Sequence, residues 1–230
     1  MYKHLFFDLD HTLWDFDRNS MESICELYEQ FRLTELGIES AEEFNRHFLT
    51  INRRLWAEYD NNRLTHSDIR HRRFRMVMNA LGVTDHSICD ELNEAYLRVL
   101  PRKPHLMESA MEVLDYLKNR YVLHIITNGF DEIQALKMAS SNLTDYFQEI
   151  ITNQRAEAKK PDPRIFDFAL TVTGADVQES LMIGDNYDAD VRGALNAGMD
   201  VVYYNYTTRP VDGPAPTYEI QHLKELMTLL

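Results

Sequence analysis

The chain has few of the residues and patterns that mark disulfide-bonded, zinc-binding or membrane proteins. Only two of its 230 residues are cysteines, Cys25 and Cys89, and they form no CxxC pair. We therefore expect reduced thiols rather than a disulfide or a zinc site. No apolar run is as long as a membrane span, which needs about 18 residues, so the sequence predicts no membrane-spanning helix. The opening MYKHLFFDLD becomes charged after a short apolar stretch, so no signal peptide is predicted either. Together these features indicate a cytoplasmic protein.

Positive charge is also in the minority. Lysine and arginine total 24 against 37 aspartates and glutamates, which gives a net charge of −13. This balance argues against a nucleic acid polymer or an anionic membrane as partner, and an anionic substrate would need a metal ion or a few placed cations. One basic cluster, IRHRRFR at 69–75, is expected to form a solvent-exposed helix face beside a buried stripe that includes Phe74 and Val77. The oligomeric state is not readable from the sequence.

Short apolar runs alternate with helical patterns over most of the chain. Buried strands are predicted at 4–8, 121–127, 149–152, 180–185 and 199–205. Helices are predicted at 107–119, 130–140, 163–173 and 187–197, and Gly174 and Gly198 follow two of them as C-terminal caps. Strands that alternate with helices predict an α/β fold with a parallel sheet and crossover helices.

Residues 18–100 break this alternation. They carry four helical patterns, at 19–35, 41–58, 66–81 and 85–99, and no convincing strand. Two sequences suited to linkers flank this stretch, the polar WDFDRN and the proline-containing PRKP. The sequence therefore predicts a core of 1–17 and 101–230 with a helical domain, 18–100, inserted after the first strand.

Polar residues of different types follow four of the predicted strands. They are Asp8, Asp10 and Thr12 after the first strand, Thr127 and Asn128 after the second, Lys159 and Lys160 after the third, and Asp185, Asp188 and Asp190 after the fourth. Each set alone is typical of a helix cap or a turn. Because ligands of an open parallel sheet bind beyond the carboxyl ends of its strands, the four sets together indicate one site.

Phosphoryl transfer through a covalent intermediate uses this mixture of groups. One carboxylate attacks phosphorus, and a magnesium ion held by carboxylate oxygens neutralises the approach of two anions. Hydroxyl, amide and ammonium groups hold the phosphate oxygens. A second carboxyl group protonates the leaving oxygen, for which we expect neighbouring carboxylates and burial to raise its pKa toward neutrality.

The ordered set DLDHT (8–12), TN (127–128), the lysine before proline in AKKPDPRIF, and GDNYDAD (184–190) resembles the four motifs of the haloacid dehalogenase (HAD) superfamily. The resemblance implies a Rossmann-like core with a helical C1 cap at 18–100. It also implies the site residues: Asp8 as nucleophile, Asp10 as general acid/base, Thr127, Asn128 and Lys160 as phosphate ligands, and Asp8, the Asp10 carbonyl and Asp185 as ligands of Mg²⁺.

Two positions in these motifs have competitors. Asp188 and Asp190 are both candidates for further metal support, and we favour Asp190 because it fits a GDxxxxD spacing. Lys159 competes with Lys160, which is preferred because it directly precedes the proline.

Several reactions occur on the fold that the resemblance implies. Haloacid dehalogenases need neither a metal nor the second aspartate, because a halide leaves without a proton, so Asp10 favours a magnesium-dependent phosphatase. A sugar-phosphate mutase and a non-catalytic binding or regulatory module remain alternatives. LWAEYDNNRLT (55–65), WDFD (14–17), TNGF (127–130) and the closing PAPTYEI resemble the bacterial pyrimidine 5′-nucleotidases of the superfamily, which implies a nucleoside monophosphate as substrate.

Overall fold

The computed structural model describes all 230 residues and divides them into two compact units. The sheet unit comprises Met1–Asp15 and Pro104–Leu230, and the helical unit comprises Phe16–Lys103. None of the helices combines the length and the apolar character that crossing a membrane requires.

The sheet unit is built on six parallel strands in the order β3-β2-β1-β4-β5-β6. They are β1 (His4–Phe7), β2 (Val122–Thr127), β3 (Glu149–Thr152), β4 (Ser180–Gly184), β5 (Asp200–Tyr204) and β6 (Tyr218–Ile220). The α/β fold with a parallel sheet is therefore confirmed. Strand β6 has only three residues and was not predicted, because so short a run carries no periodic pattern.

Helices connect these strands. In chain order they are α5 (Ala110–Leu117), α6 (Asp131–Ser140), α7 (Asn153–Ala156), α8 (Pro163–Thr173), α9 (Gly193–Asn196) and α10 (Leu226–Leu229); α1 to α4 belong to the helical unit. The predicted helix at 187–197 is instead a π-helical turn, Tyr187–Arg192, followed by α9. Gly174 ends α8 at a φ of 66°, as its capping role requires.

Side chains of successive strand residues point to opposite faces of the sheet. On one face Phe6, Ile126 and Met182 pack with Phe166 and Ala169 of α8 in a buried apolar cluster. The chain runs from β1 outward to β2 and β3, then returns to β4 on the other side of β1. The strand order therefore reverses beside β1, and the carboxyl ends of β1 and β4 mark the position at which such sheets bind ligands.

The helical unit consists mainly of α1 (Phe16–Gln30), α2 (Ala41–Asp60), α3 (His66–Ala80) and α4 (Cys89–Val99). Helix α3 begins with a capping box, in which the side chains of Thr65 and Asp68 each accept a hydrogen bond from the backbone N–H of the other. The core of this unit is aromatic: the ring of Phe48 lies 5.4 Å from that of Phe74 and 4.8 Å from that of Tyr96.

The basic cluster at 69–75 does not behave uniformly. Arg70 and Arg75 form ion pairs with Glu94 and Asp90 at the surface of the helical unit, as expected of a solvated face. Arg73 contradicts that expectation because only 5% of its surface is exposed. Its guanidinium donates to the Oδ1 atoms of Asn52 (3.3 Å) and Asn93 (2.8 Å) and stacks near three aromatic rings, which explains how the core accommodates it.

Candidate active site

The carboxylates of the first and fourth motifs meet where the strand order reverses. Asp8 follows β1, and its backbone N–H donates to the carbonyl oxygen of Ile183 in β4 over 2.9 Å. Asp185 follows β4, and its backbone N–H donates to Thr12 Oγ1 over 3.1 Å. Thr12 is fully buried and ties the turn after β1 to the loop after β4. The two strands and this hydroxyl therefore hold Asp8 and Asp185 side by side.

Lys160 is the buried cation of this cluster, with 2% of its surface exposed. Its ammonium donates to Asp8 Oδ1 and Asp190 Oδ1, both at 2.6 Å, and to the carbonyl oxygen of Ile126 at 2.8 Å. These three bonds match the three N–H donors of a lysine and fix the position of the ammonium. Burial lowers the pKa of Lys160, but the charges of Asp190 and Asp8 outweigh burial and raise it above its usual value, so the ammonium stays charged.

Asn128 fixes the loop that carries Lys160. Its side-chain Nδ2 donates to the Lys160 carbonyl oxygen over 2.9 Å, and its Oδ1 accepts from the Lys160 backbone N–H over 2.7 Å. The side chain of Asn128 thus links the end of β2 to the Lys160 loop, and its backbone is the part that could contact a ligand. Lys159 is half-buried, and the contacts of the cluster with Asp8 and Asp190 come from Lys160.

Of the two further acids in the fourth motif, only Asp190 lies in the cluster. Asp190 is fully buried, with Oδ1 bonded to Lys160 and Oδ2 accepting from the backbone N–H of Asn186 over 3.0 Å. The side chain of Asp188 is 81% exposed and pairs with Arg192. The position of Gly184 requires a residue without a side chain, because a Cβ there would overlap the carboxylate of Asp190.

The cluster carries excess negative charge. Oxygens of Asp8, Asp185 and Asp190 lie within 4.8 Å of one another. Burial raises the pKa of Asp8 to about 7, with Lys160 opposing the shift and Asp190 adding to it. Burial also raises the pKa of Asp185 well above its usual value, and the charges of Asp8 and Asp190 add to the effect. Burial is the main cause of both shifts, and repulsion between the carboxylates adds to it.

A divalent cation fits this arrangement. Counted as formal charges, the four carboxyl groups of the site with Asp10 exceed its two ammonium groups, those of Lys160 and Lys137, by two. Carboxylate oxygens are the ligands that Mg²⁺ prefers, and a nearby cation lowers the pKa of a carboxyl group. Asp8 and Asp185 are the residues best placed to hold the ion, because both oxygens of Asp190 already accept hydrogen bonds.

Thr127, at the end of β2, is buried and held by two donors. Its Oγ1 accepts from the backbone N–H of Gly129 over 3.1 Å and from Gln134 Nε2 over 2.7 Å. The hydroxyl proton is then the group that Thr127 has left to donate to a ligand. A Cβ at Gly129 would overlap the side-chain amide of Gln134, so the glycine of the TNG sequence provides the space for this contact.

Asp10 faces α6 through its side chain. Lys137 Nζ donates to both carboxylate oxygens, at 2.5 and 2.8 Å, and Gln134 Nε2 donates to Oδ2 at 3.1 Å. Lys137 is itself buried, with its ammonium 4.5 Å from the ring centre of Trp14. The second acid of the DxD motif therefore has its own cation, separate from the one that contacts Asp8.

The expected direction of the Asp10 pKa is wrong in this structure. Burial favours the protonated acid, as expected, but the charge and hydrogen bonds of Lys137 and the hydrogen bond of Gln134 outweigh it and lower the pKa of Asp10. The expectation considered only the neighbouring carboxylates, whereas the nearest charge to Asp10 is an ammonium.

Gln134 and Lys137 are site residues that the sequence reasoning missed. In α6 they are buried, whereas the apolar Leu136 between them is 39% exposed. Polar side chains usually lie on the exposed face of a helix and apolar ones on the buried face, and here the reverse holds. A prediction that assigns the buried face from the apolar residues therefore places Gln134 and Lys137 in solvent. The available signal was their spacing of three, which puts them on one helix face directly after TNG.

Comparison with known proteins finds relatives that match nearly the whole chain. The chain is 31% identical to the pyrimidine 5′-nucleotidase YjjG of Escherichia coli, over 98% of this chain and 96% of the relative. It is 30% identical to the pyrimidine 5′-nucleotidase PynA of Streptococcus pneumoniae, over 100% of this chain and 95% of the relative.

Solved structures give the same fold. The magnesium-bound HAD-hydrolase YfnB of Bacillus subtilis matches with a TM-score of 0.88 and 26% identity, covering 99% of this chain and 98% of that one. A 2-haloacid dehalogenase from Pseudomonas syringae matches with a TM-score of 0.65 and 26% identity, covering 100% and 98%. The family model of haloacid dehalogenase-like hydrolases matches residues 2–198, and the chain belongs to this family.

Proposed function

We propose that the protein is a magnesium-dependent phosphatase that hydrolyses small phosphate monoesters through a phosphoenzyme formed on Asp8. The observation that carries the proposal is the second carboxylate, Asp10, two residues after Asp8 and held in the same site. A halide leaves carbon without a proton, whereas an alkoxide that leaves phosphorus needs one. A site that supplies both a nucleophile and a separate proton carrier is suited to phosphate esters.

In the first half of the reaction an Asp8 carboxylate oxygen attacks phosphorus. The new Asp8–phosphorus bond forms as the bond from phosphorus to the ester oxygen breaks, and Asp10 gives a proton to that oxygen. The Lys137 contact lowers the pKa of Asp10, so this step uses the minor protonated form of the residue. The products are an alcohol, an aspartyl phosphate on Asp8 and the Asp10 carboxylate. Lys160 and the Thr127 hydroxyl donate hydrogen bonds to the phosphoryl oxygens during transfer.

In the second half water attacks the phosphorus of the aspartyl phosphate. Asp10 takes a proton from the water, the bond between phosphorus and Asp8 breaks, and inorganic phosphate leaves. Both residues return to their starting state, with Asp8 as a carboxylate and Asp10 protonated. The Lys137 contact, which stabilises the carboxylate form of Asp10, suits this base step.

Asp8, Asp185 and the carbonyl oxygen of Asp10 would hold Mg²⁺, with Asp190 as a further supporting residue. When bound, the ion neutralises the repulsion between the attacking carboxylate and the phosphate. The convergence of oxygens from Asp8, Asp185 and Asp190 within 4.8 Å supports a cation that prefers oxygen ligands, such as Mg²⁺.

We propose a pyrimidine nucleoside 5′-monophosphate as the substrate. The support is the near full-length similarity to two proteins named pyrimidine 5′-nucleotidases. The test is phosphate release from UMP, dTMP, AMP and several sugar phosphates with Mg²⁺ present. The proposal predicts the highest kcat/KM for the pyrimidine nucleotides. A wide margin in favour of sugar phosphates would refute this substrate.

Dehalogenation is the second candidate, because a solved haloacid dehalogenase shares the fold at 26% identity. Chloride release from 2-chloropropionate in the presence of EDTA tests it directly. Halide release without a metal, together with no phosphate release from any ester, would replace the phosphatase proposal. A protein that turns over neither class of substrate, in the parent as in Asp8→Asn, would support a non-catalytic role.

We also propose that the helical unit acts as a cap that selects the substrate. The side chains of Asp8, Asp10, Lys160 and Asp185 in the sheet unit suit the phosphate, the metal and the proton rather than the rest of a nucleotide. Trp56 of the helical unit is half-buried and packs edge-on against Tyr59 at 5.4 Å. Trp56→Leu should change the ratio of UMP to p-nitrophenyl phosphate turnover, and an unchanged ratio for this and other exchanges in the unit would oppose the proposal.

A further inference from the structure

We propose that Gln134 and Lys137 of α6 are positioning residues that hold the Asp10 carboxyl group in place for proton transfer to the leaving oxygen. This inference rests on the proposed phosphatase function. It assigns a role to two side chains that are not part of the cluster of Asp8, Asp185 and Asp190.

The geometry of Asp10 carries the proposal. Lys137 bridges both carboxylate oxygens, at 2.5 and 2.8 Å, and Gln134 adds a third bond to Oδ2 at 3.1 Å. Both oxygens of a side chain that is 28% exposed are therefore held by α6. Three bonds from one rigid helix restrict both the direction and the rotation of the carboxylate plane.

The two holding residues are themselves fixed. Gln134 is fully buried and Lys137 is 4% exposed. The Lys137 ammonium lies 4.5 Å from the centre of the Trp14 ring, and Trp14 is paired in bridge contacts with Asp10 and Leu106. A lysine that is confined between an aromatic face and a carboxylate has lost the freedom that lysine side chains have at a surface.

Gln134 also links the proton carrier to the phosphate-binding hydroxyl. The same Nε2 that donates to Asp10 donates to Thr127 Oγ1 over 2.7 Å. One side-chain amide thus sets the distance between the residue that handles the proton and the residue that faces the phosphoryl group. The absence of a Cβ at Gly129 leaves the space in which this amide lies.

The proposal predicts a dependence on the leaving group. A nucleoside leaves as an alkoxide and needs a proton, whereas p-nitrophenolate is stable without one. Misplacing Asp10 should therefore slow phosphoenzyme formation from a nucleotide much more than from p-nitrophenyl phosphate. Both esters give the same aspartyl phosphate, so the comparison uses kcat/KM, which covers the steps up to departure of the alcohol. General damage to the site would slow both substrates alike.

The experiment compares Lys137→Met and Gln134→Met with the parent on UMP and p-nitrophenyl phosphate. We expect kcat/KM for UMP to fall about 10- to 100-fold in each variant, and kcat/KM for p-nitrophenyl phosphate to stay within about 3-fold. The matched control is Lys118→Met, which removes the surface ion pair with Asp115 in the same unit and should leave both rates unchanged. In Lys137→Met, inhibition by inorganic phosphate should also be unchanged, because Asp8, Lys160, Asp185 and the contact between Gln134 and Thr127 are intact.

Equal losses on the two esters, or no loss on either, would overturn the inference. If Lys137→Met leaves Asp10 unpaired and fails to fold, Gln134→Met decides alone, because it removes no charge. A parent that hydrolyses neither ester refutes the phosphatase function and the inference with it. A parent active on both esters, with variants that lose both equally, refutes the inference only.

Discussion

Acid stability gives a quantitative prediction at His124, which is fully buried in β2. Its ring stacks on Phe6 at 4.7 Å, and its Nε2 lies 3.1 Å from Nδ1 of His4. The Nδ1 atom of His124 is buried and has no hydrogen-bond partner. Burial, and then the neighbouring His4, lower its pKa to about 4, against an opposing charge on Glu149.

The sign and size of the effect follow from these values. The folded protein holds His124 neutral down to about pH 4, whereas the unfolded chain protonates this residue near 6.5. The unfolded state therefore binds more protons between these limits, so stability is complete above pH 6.5 and decreases as the pH falls toward 4. At 1.36 kcal/mol for each pKa unit, the loss between pH 7.5 and pH 5 is about 2 kcal/mol.

The measurement is urea unfolding of the parent and of His124→Leu at pH 7.5 and pH 5. Acids that titrate in both proteins cancel when the two pH effects are subtracted, so the variant should lose about 2 kcal/mol less than the parent. The control is His71→Leu, which replaces an exposed histidine and should match the parent. Equal acid sensitivity in His124→Leu and the parent would refute the reasoning.

Three further predictions concern other fixed positions. Lys160→Met leaves Asp8 without its cation, so the free energy of unfolding in urea should fall by about 3 to 5 kcal/mol and phosphate release should cease. Gly129→Ala adds a methyl group where the Gln134 amide lies, so UMP turnover should fall more than p-nitrophenyl phosphate turnover in steady-state assays. Arg73→Lys keeps the charge but loses the planar fork that bonds two asparagines, so urea unfolding should show a loss of about 1 to 3 kcal/mol; an unchanged midpoint would contradict this.

The sequence was sufficient to predict the parallel sheet and to predict that the polar residues after its strands lie together at one edge. This succeeded because the buried strands β1, β2 and β4 are short and mostly apolar, and because topology brings the ends of parallel strands together. Asp8, Thr127, Lys160 and Asp185 could be placed in this way without knowing any distance.

Other features depend on contacts that no local pattern encodes. The choice of Lys137 as the partner of Asp10 depends on how α6 packs against the turn after β1, a separation of 127 residues. The direction of the Asp10 pKa depends on that partner, so it could not be obtained from the acidic neighbours alone. Arg73 was expected in solvent because most arginines are, and its burial depends on asparagines contributed by two other helices.

The central claim is that Asp8 carries the phosphoryl group during turnover. The most direct measurement is mass spectrometry of the protein quenched in acid during steady-state hydrolysis of UMP with Mg²⁺ present. The account predicts that the peptide containing Asp8 gains the mass of one phosphoryl group, that hydroxylamine removes it, and that Asp8→Asn shows none. Rapid phosphate release by the parent with the added mass on no residue, or undiminished release by Asp8→Asn, would contradict the account.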